Sequence, residues 1–174
     1  MPVTMNRHFY VCLALLFALA IGVKAQEILQ GDESAPLVLV RIIPIPDVLG
    51  RFDHMGVDNQ TNRVFAPVYG NDTVEVLDVA RGRRIRSLQG DFIKPQMVLY
   101  IPGINHIMVS NEGDGSCKIF DAETYNLIDT VKFPDDSDQL GYNPATKRVY
   151  VAYGDGTVGM FDATTNKRIE GDFR

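Results

Sequence analysis

Cysteine and histidine are scarce in this chain, which has two cysteines and three histidines among 174 residues. Cys12 lies in an N-terminal apolar run, so the rest of the chain holds a single thiol, Cys117, and cannot form an internal disulfide. Cys-x-x-Cys-His, the spacing for haem attachment, is absent, and so is Gly-x-Ser-x-Gly. One His beside one Asp is too few ligands for a metal site. The sequence therefore predicts no cofactor, no metal site and no catalytic residue, and it predicts that Cys117 is a small buried or half-buried side chain on a strand.

Residues 1–25 have the layout of a secretory signal peptide. Arg7 and His8 precede the apolar run FYVCLALLFALAIGV, and Val23 and Ala25 provide modest or small side chains at the expected cleavage site. The run is shorter than the roughly 20 residues that a membrane-spanning helix needs. We therefore predict cleavage after Ala25, a linker over residues 26–35, no stable membrane span in the mature chain, and a periplasmic, secreted or cell-surface location.

Negative charge predominates outside that segment. The whole chain has a net charge of -5, and residues 26–174 carry -7 because the first 25 residues hold Arg7 and Lys24 but no acid. Such a surface repels nucleic-acid backbones, so we expect no nucleic-acid partner. The one basic cluster, RGRRIR at 81–86, is better explained as charge on a solvated outer strand, which discourages edge pairing.

One sequence pattern occurs three times. Asp78, Asp121 and Asp162 occupy the same place in VLDVARGRRI, IFDAETYNLI and MFDATTNKRI, which predicts a repeat architecture with a period of about 40 residues. Upstream, GVDNQTNRVF from Gly56 aligns without a gap with GYNPATKRVY from Gly141, and the middle copy, from Val98, is looser. Since each Asp belongs to a separate repeat, we expect it to accept backbone hydrogen bonds in the following turn rather than to join a carboxylate pair.

Each copy contains four short strand signals. In the last copy these are QLGYN, RVYVAY, VGMFDA and RIEG, separated by PATK, GDGT and TTNK, which have the composition of tight turns. Four antiparallel strands in about 40 residues are typical of one blade of a β-propeller. The sequence therefore predicts an all-β propeller with blades at about 51–91, 92–136 and 137–174.

The segment RVYVAYGDGTVGMFDATTNKRI closely resembles the YVTN-type β-propeller repeat, and the resemblance extends over about residues 51–174. It implies an extracytoplasmic propeller, of a family whose members have about seven blades and serve more often as binding scaffolds than as enzymes. Pro67 departs from the pattern because it falls within the second strand of the first copy. Proline has no backbone donor, so we expect a bulge or an unpaired side of the strand there.

Three blades cannot close a ring, since closed propellers have roughly four to eight. The segment before the first copy matches the fourth-strand positions of the later copies, so Val38–Ile43 is predicted to be an orphan outer strand within a partial propeller over 36–174. Its partner strands would be missing through truncation at a blade boundary, or another chain would supply them. The open edges would then favour self-association.

Polar residues precede the first strand of each copy, where the strand begins at the central channel. The alignment places Asp53 and His54, Pro95 and Gln96, and Asp138 and Gln139 at corresponding positions. The candidate ligand-binding residues at the channel mouth are therefore Asp53, His54, Gln96, Asp138 and Gln139. They would converge on a cation or a hydroxyl-rich small molecule, or else hydrogen-bond the backbone of their own loops.

Two functions remain open. The first is a non-catalytic binding scaffold with an unknown protein or small-molecule ligand. The second is a fragment of an extracytoplasmic propeller enzyme or redox-associated domain, such as a lactonase-like hydrolase, with its catalytic residues in missing blades. The absence of a catalytic constellation favours the first.

Overall fold

The computed structural model of the chain describes residues 36–174. The predicted signal peptide and linker lie outside the described residues. The chain divides into two units, Met1–Ile42 and Ile43–Arg174, and all of the regular structure described below belongs to the second.

The second unit consists of three antiparallel sheets of four strands each, and consecutive strands are neighbours in every sheet. The strands of the first sheet are β1 Gly56–Asp58, β2 Arg63–Val68, β3 Thr73–Asp78 and β4 Arg83–Leu88; those of the second are β5 Pro95–Ile101, β6 His106–Asn111, β7 Ser116–Asp121 and β8 Leu127–Lys132; those of the third are β9 Ser137–Asn143, β10 Arg148–Tyr153, β11 Thr157–Asp162 and β12 Arg168–Phe173. In residues 36–174 the helical structure consists of one 3-10 turn, Glu112–Asp114. The predicted blade composition is confirmed.

The same turn chemistry closes the first hairpin of each sheet. Asn62, Asn105 and Lys147 have φ values of 56°, 53° and 55°, in the left-handed region that tight turns use. Asparagine tolerates this region because its short polar side chain can hydrogen-bond locally, and Lys147 occupies it at a solvent-exposed position. The three copies therefore share their backbone conformation at this turn as well as their sequence pattern.

The repeated aspartates hold the turn after the third strand, as predicted. Asp162 Oδ1 accepts hydrogen bonds from the backbone N–H groups of Thr164 and Thr165 at 2.8 Å and 2.9 Å, and Asp121 Oδ1 accepts the corresponding pair in the second sheet. The Thr164 hydroxyl, together with these N–H groups, lowers the pKa of Asp162 to about 2. These aspartates are structural.

The sheets stack face to face, and large apolar side chains fill the two spaces between them. We call the side of a sheet that is turned toward the following sheet its front face and the opposite side its back face. The first core joins the front face of the first sheet (Phe65, Val74, Val76, Leu88) to the back face of the second (Val98, Ile107, Val109, Phe120). The second core joins the front face of the second sheet (Met108, Cys117, Ile119, Val131) to the back face of the third (Leu140, Val149, Val151, Phe161). Alternating residues thus serve two interfaces, and each such side chain contributes about 1.5–3 kcal/mol through burial.

The single thiol is part of this packing. Cys117 lies on β7 with none of its surface exposed, and burial raises the pKa of its thiol. The prediction of a small buried strand residue is confirmed.

A link precedes each sheet and lies against its central hairpin turn. A Cβ on Gly70 would lie 2.4 Å from the backbone oxygen of Leu49, and a Cβ on Gly113 would overlap the Ile93 side chain in the second sheet. Leu49 N also donates to Asn71 Oδ1 at 2.5 Å. The contacts show that residues 43–52 hold the position before the first sheet that residues 89–94 hold before the second.

The predicted orphan strand Val38–Ile43 does not form. The segment belongs to no sheet, and the side chains at 37–40 and 42 are exposed, Leu37 by 87% and Val40 by 86%. A β-strand needs a hydrogen-bonded neighbour, and the described residues offer this segment none. Its apolar sequence therefore indicates the potential to pair rather than a strand in this chain.

Pro67 sits where the pairing is open on one side, as expected. It pairs regularly with Val74 of β3, while on its other side the β1 ladder ends at Gly56–Phe65 and continues as a single bridge between Phe52 and Val68. The Pro67 oxygen accepts from Asp53 N at 3.2 Å on that side. The missing N–H therefore leaves no gap in the β2–β3 ladder.

Candidate functional site

The first strands of the sheets lie side by side at the inner edge of the stack. A parallel bridge joins His54 to Met97: His54 N donates to Gln96 O and Val98 N to His54 O, both at 2.9 Å. Leu140 N donates to Met97 Sδ at 3.1 Å, which ties the third sheet to the second at the same level. We call the start of these strands, residues 51–54, 94–97 and 137–139, the inner rim.

Each first strand has a one-residue bulge at the inner rim. Phe52 and Gly56 are four positions apart, whereas their partners Val68 and Phe65 in β2 are three positions apart. The same extra residue occurs between Pro95 and Met97 and between Ser137 and Leu140. A bulge interrupts the alternation of side chains and re-aims them, and bulges are frequent beside binding sites. The side chains at the inner rim therefore do not follow the alternation between faces that the core residues of these strands follow.

The register corrects the sequence alignment of the middle copy by one residue. Gly56 and Gly141 correspond to Leu99, not to Val98, because these three residues pair with Phe65, Tyr150 and Met108 at one position of the second strands. Gln96 is therefore the counterpart of Asp53 and Asp138, and Met97 is the counterpart of His54 and Gln139. The error arose because β5 is apolar on both faces and gave the alignment no alternation to follow.

His54 lies between polar groups of two sheets. Its Nδ1 is 2.8 Å from Asp53 Oδ1, and Gln139 Nε2 lies 3.3 Å from each ring nitrogen. A carboxylate accepts only, so in the neutral form of the ring Nδ1 carries the proton toward Asp53 and Nε2 is the acceptor. The His54 side chain is 54% exposed, so its ring is open to solvent.

Arg51 extends the cluster outward from Asp53. Its Nε donates to Asp53 Oδ2 at 3.0 Å, its Nη2 lies 3.5 Å from Gln96 Oε1, and its guanidinium stacks on the Tyr69 ring at 4.1 Å from the centroid. A stacked and paired arginine keeps a fixed orientation, and this one still has 57% of its side chain exposed.

Glu112, from the 3-10 turn of the second sheet, completes the cluster. It accepts from Lys94 Nζ at 3.0 Å, from the Tyr69 hydroxyl at 3.1 Å and from Gln96 Nε2. The Lys94 ammonium, followed by the Tyr69 and Gln96 donors, lowers the pKa of Glu112 against the opposing effect of burial. Glu112 is therefore ionised at neutral pH, with its charge balanced by Lys94.

The structure brings together four of the five predicted site residues. Asp53, His54, Gln96 and Gln139 belong to one continuous series of polar contacts that runs across all three sheets. Asp138 is exposed, and its backbone oxygen accepts from the Ser110 hydroxyl. Asp138 therefore stands beside the cluster rather than within it.

Sequence reasoning missed Arg51, Tyr69, Lys94 and Glu112. Arg51 and Lys94 lie within three residues of predicted ones, so a wider window around the strand starts would have found them. Tyr69 and Glu112 follow the ends of second strands, which the topology returns to the inner rim, and only the three-dimensional arrangement shows this.

The arginine-rich segment 81–86 has the structural role expected of it. Residues 81 and 82 lie in a turn and residues 83–86 begin β4, the last strand of its sheet, where Arg83 and Arg86 are exposed. Arg81 Nη1 pairs with Asp78 Oδ2 at 2.8 Å, and Arg84 Nη1 pairs with Asp47 Oδ1 at 2.9 Å and Glu75 Oε2 at 3.1 Å. Two of the positive charges are thus neutralised within the chain.

Neither a metal-binding cluster nor a membrane-spanning helix occurs in the described part of the chain. Residues 36–174 bring no three His, Cys, Asp or Glu side chains into an arrangement that could hold a metal ion. None of their helical structure is long and apolar enough to cross a membrane.

Comparison with known proteins supports the architecture. No protein-family model matches the chain, and no curated protein matches it. Among solved structures, the chain is similar to Kuenenia stuttgartiensis hydrazine synthase, with a TM-score of 0.63 and 14% sequence identity over 69% of this chain. The match spans 36% of the hydrazine synthase chain, so this chain corresponds to about a third of that one. At this identity the likeness shows the fold alone, and the fold of residues 43–174 is that of a partial β-propeller.

Proposed function

We propose that this protein is a non-catalytic, extracytoplasmic β-propeller of the YVTN type that binds a hydroxyl-rich small molecule at its inner rim. The location rests on the signal-like sequence of residues 1–25, and the family on the repeat centred on RVYVAYGDGTVGMFDATTNKRI. Because one fold can support many functions, the ligand depends on the side chains at the inner rim rather than on the propeller fold.

The observation that carries the proposal is the continuous polar cluster contributed by all three sheets. It offers exposed donors on Arg51 and Lys94, an acceptor on the neutral ring of His54, and an exposed amide group on Gln139, while the buried Gln96 holds Arg51 and Glu112 in place. Closely spaced donors and acceptors match neighbouring hydroxyl groups, each of which both donates and accepts. The Tyr69 ring adds an apolar surface of the kind that pairs with the C–H faces of such molecules.

Charge balance favours a neutral ligand over a cation. Asp53 is already paired with Arg51 and His54, and Glu112 with Lys94. A cation would have to displace these partners, whereas a polyol can bond to the outward-facing sides of the same groups.

The test is isothermal titration of the full chain with a panel of monosaccharides, disaccharides and linear polyols, with divalent cations as the competing class. We expect saturable binding of at least one hydroxyl-rich compound, lost or weakened at least about tenfold in Gln139→Leu, because this exposed amide is lost and a polar group of the ligand would be left unpaired. Glu170→Gln, a change at an exposed position of β12, is the matched control and should bind as the parent does. Binding of cations alone, or binding that Gln139→Leu does not weaken, would contradict the proposal.

A further inference from the structure

A groove lies between the first and second sheets, at the end of the strands opposite the inner rim. Its volume is about 460 Å³, within the range of small-molecule sites. The side chains that decide its chemistry come from both sheets: Arg63, Arg81 and Ile85 from the first, and Tyr100, Asn105 and Glu123 from the second. None of them belongs to the polar cluster at the inner rim, so a ligand in this groove is independent of the one proposed above.

Arg63 is a cation with a fixed orientation in this groove. Its Nη2 donates to Asp58 Oδ2 and its Nη1 to the Tyr125 hydroxyl, both at 2.9 Å, and its side chain is 13% exposed. The other N–H of Nη2 has no hydrogen-bond partner among the described residues. Because several bonds already hold the guanidinium, a ligand that accepts from it does not have to order a flexible side chain.

Two arginines of the segment 81–86 add positive charge at the same place. Arg81 Nη1 pairs with Asp78, but the side chain is 73% exposed, and its Nε and Nη2 donate to no group in residues 36–174. The Arg86 guanidinium lies 5.6 Å from the centroid of the Tyr125 ring, whose hydroxyl holds Arg63. Within the described part of the chain Arg86 has no carboxylate partner, so its charge beside the groove is not neutralised.

The groove has more unused hydrogen-bond donors than acceptors. Asn105 Oδ1 accepts from the Tyr100 hydroxyl at 3.1 Å, which leaves the Asn105 Nδ2 donors for a ligand. The buried Asp78 carboxylate already accepts from the backbone and side chain of Arg81, whereas Glu123 is exposed at the edge. Unused arginine and amide donors match a ligand that accepts, and charge assistance favours an anion.

Apolar surface beside these donors favours an organic anion over an inorganic one. The Tyr100 ring, which packs on Phe65 with 5.8 Å between ring centroids, lines the groove, and so does Ile85, which is 46% exposed. An inorganic anion would leave both surfaces in water, whereas an apolar body would cover them. Among organic anions, a carboxylate matches the planar fork of a guanidinium.

We propose that this groove binds a small organic carboxylate, whose oxygens accept hydrogen bonds from Arg63 and Arg81 and whose apolar body lies against Tyr100 and Ile85. Glu123, at the edge of the groove, weakens the binding by repulsion between like charges. This second site goes beyond the proposed function, since it lies at the other end of the strands and takes a charged ligand rather than a neutral one.

The test is titration of the full chain with benzoate, followed by the NMR shifts of backbone amides. Benzyl alcohol serves as the uncharged analogue, and inorganic phosphate as the anion without an apolar body. We expect saturable shifts at Thr61, Arg81 and Asn105, with a Kd for benzoate below about 10 mM. Both comparison compounds should bind at least about tenfold more weakly, because each lacks one of the two features that the groove recognises.

Two variants at exposed positions test the sign of the ligand's charge. Arg81→Gln should weaken benzoate binding at least about tenfold, because a charge-assisted hydrogen bond is lost. Glu123→Gln should strengthen it about two- to threefold, because a nearby like charge is removed. Lys167→Gln, at an exposed turn of the third sheet, makes the same change in net charge as Arg81→Gln and is the matched control, which should bind as the parent does.

Three outcomes would overturn the proposal. The first is the absence of saturable shifts at these amides up to about 10 mM benzoate. The second is phosphate binding as tightly as benzoate, or Lys167→Gln weakening the binding as much as Arg81→Gln does, since the overall charge of the chain would then account for the effect. The third is a reversal of the two charge effects, with Glu123→Gln weakening and Arg81→Gln strengthening the binding.

Discussion

The two interfaces between sheets have the same apolar design but differ in the polar group at their edge. At the first, Arg63 donates to Ala122 and Tyr125 of the second sheet while its Nη2 pairs with Asp58 at 2.9 Å. At the second, the register places His106 where Arg63 would be, and its Nδ1 is buried with no hydrogen-bond partner among the described residues. Asn166, the counterpart of Tyr125, has a buried Oδ1 that likewise has no partner there. The repeat thus tolerates either a polar bridge or unpaired polar atoms at one position, provided that the apolar core is kept.

The largest effect should come from shortening a large buried apolar side chain in either core. Phe120→Ala and Phe161→Ala each remove a side chain that is at most 1% exposed, from the first and second core respectively. We expect each to lower the free energy of unfolding by about 3–5 kcal/mol, through lost burial and the cavity left behind. Urea unfolding followed by circular dichroism measures both. If the losses in the free energy of unfolding differ by more than about 2 kcal/mol between the two variants, the apolar cores of the two interfaces are not equivalent.

Arg63→Met tests the polar bridge of the first interface. The variant keeps much of the packing volume but leaves Asp58, which is fully buried, without its cationic partner. We expect a loss of about 3 kcal/mol, the range found when one partner of a buried ion pair is removed. Arg83→Met, an exposed arginine of β4, is the control and should cost less than about 0.5 kcal/mol. If the two variants are equally stable, the bridge has no net stabilising effect.

His106→Met tests the corresponding position of the second interface, and its effect should depend on pH. Burial lowers the pKa of His106 below 6.5, against the smaller opposing influence of Asp121. The unfolded chain therefore takes up the proton first as the pH falls, so His106 favours the folded state above pH 6.5 and loses that contribution below it. We expect the variant to differ from the parent by no more than about 1 kcal/mol at pH 8 and to lose less stability between pH 7.5 and 5.5. Thermal unfolding across that range measures the difference, and parallel curves for the two proteins would refute the assignment.

The smallest effect should come from a feature that all three sheets share. Asp162→Ala removes the acceptor for two backbone N–H groups in a turn exposed to water, and we expect a loss of about 1 kcal/mol at pH 7. Because the pKa of Asp162 is lowered to about 2, this contribution is complete above pH 3.8 and is lost as the pH falls through 2. Acid unfolding of variant and parent should therefore converge at low pH. Asp121→Ala should behave in the same way, and a much larger cost for either would place that turn within an interface.

The features that could be predicted from the sequence are those that depend on neighbours along the chain. The RVYVAY strand was predicted with the bounds that it has, Arg148–Tyr153, because β-branched residues and turn residues mark both of its ends. The turn role of Asp78, Asp121 and Asp162 was equally local. The middle copy was misaligned by one residue because Val98 and Leu99 are both apolar, so either could be matched to Gly56.

The rest depends on distances that the sequence does not contain. Glu112 reaches Lys94 and Tyr69 because the topology returns two second-strand ends to the inner rim. The segment Val38–Ile43 shows the opposite case, since its strand-like composition is genuine but a strand also requires a partner.

The bulge at the start of each first strand gives the molecule a form of modularity. Rim residues at the bulge differ among the repeats, as the polar His54 and Gln139 differ from Met97, which packs against the second core, while the next residue has a packing role in the second and third sheets, as Val98 and Leu140 do. Recognition and folding are thus encoded at adjacent but separate positions. A combinatorial library confined to the four positions 53, 54, 138 and 139 should therefore yield new ligand specificities on an unchanged scaffold, and the same separation would let the repeats diverge in specificity after duplication without losing their stacking.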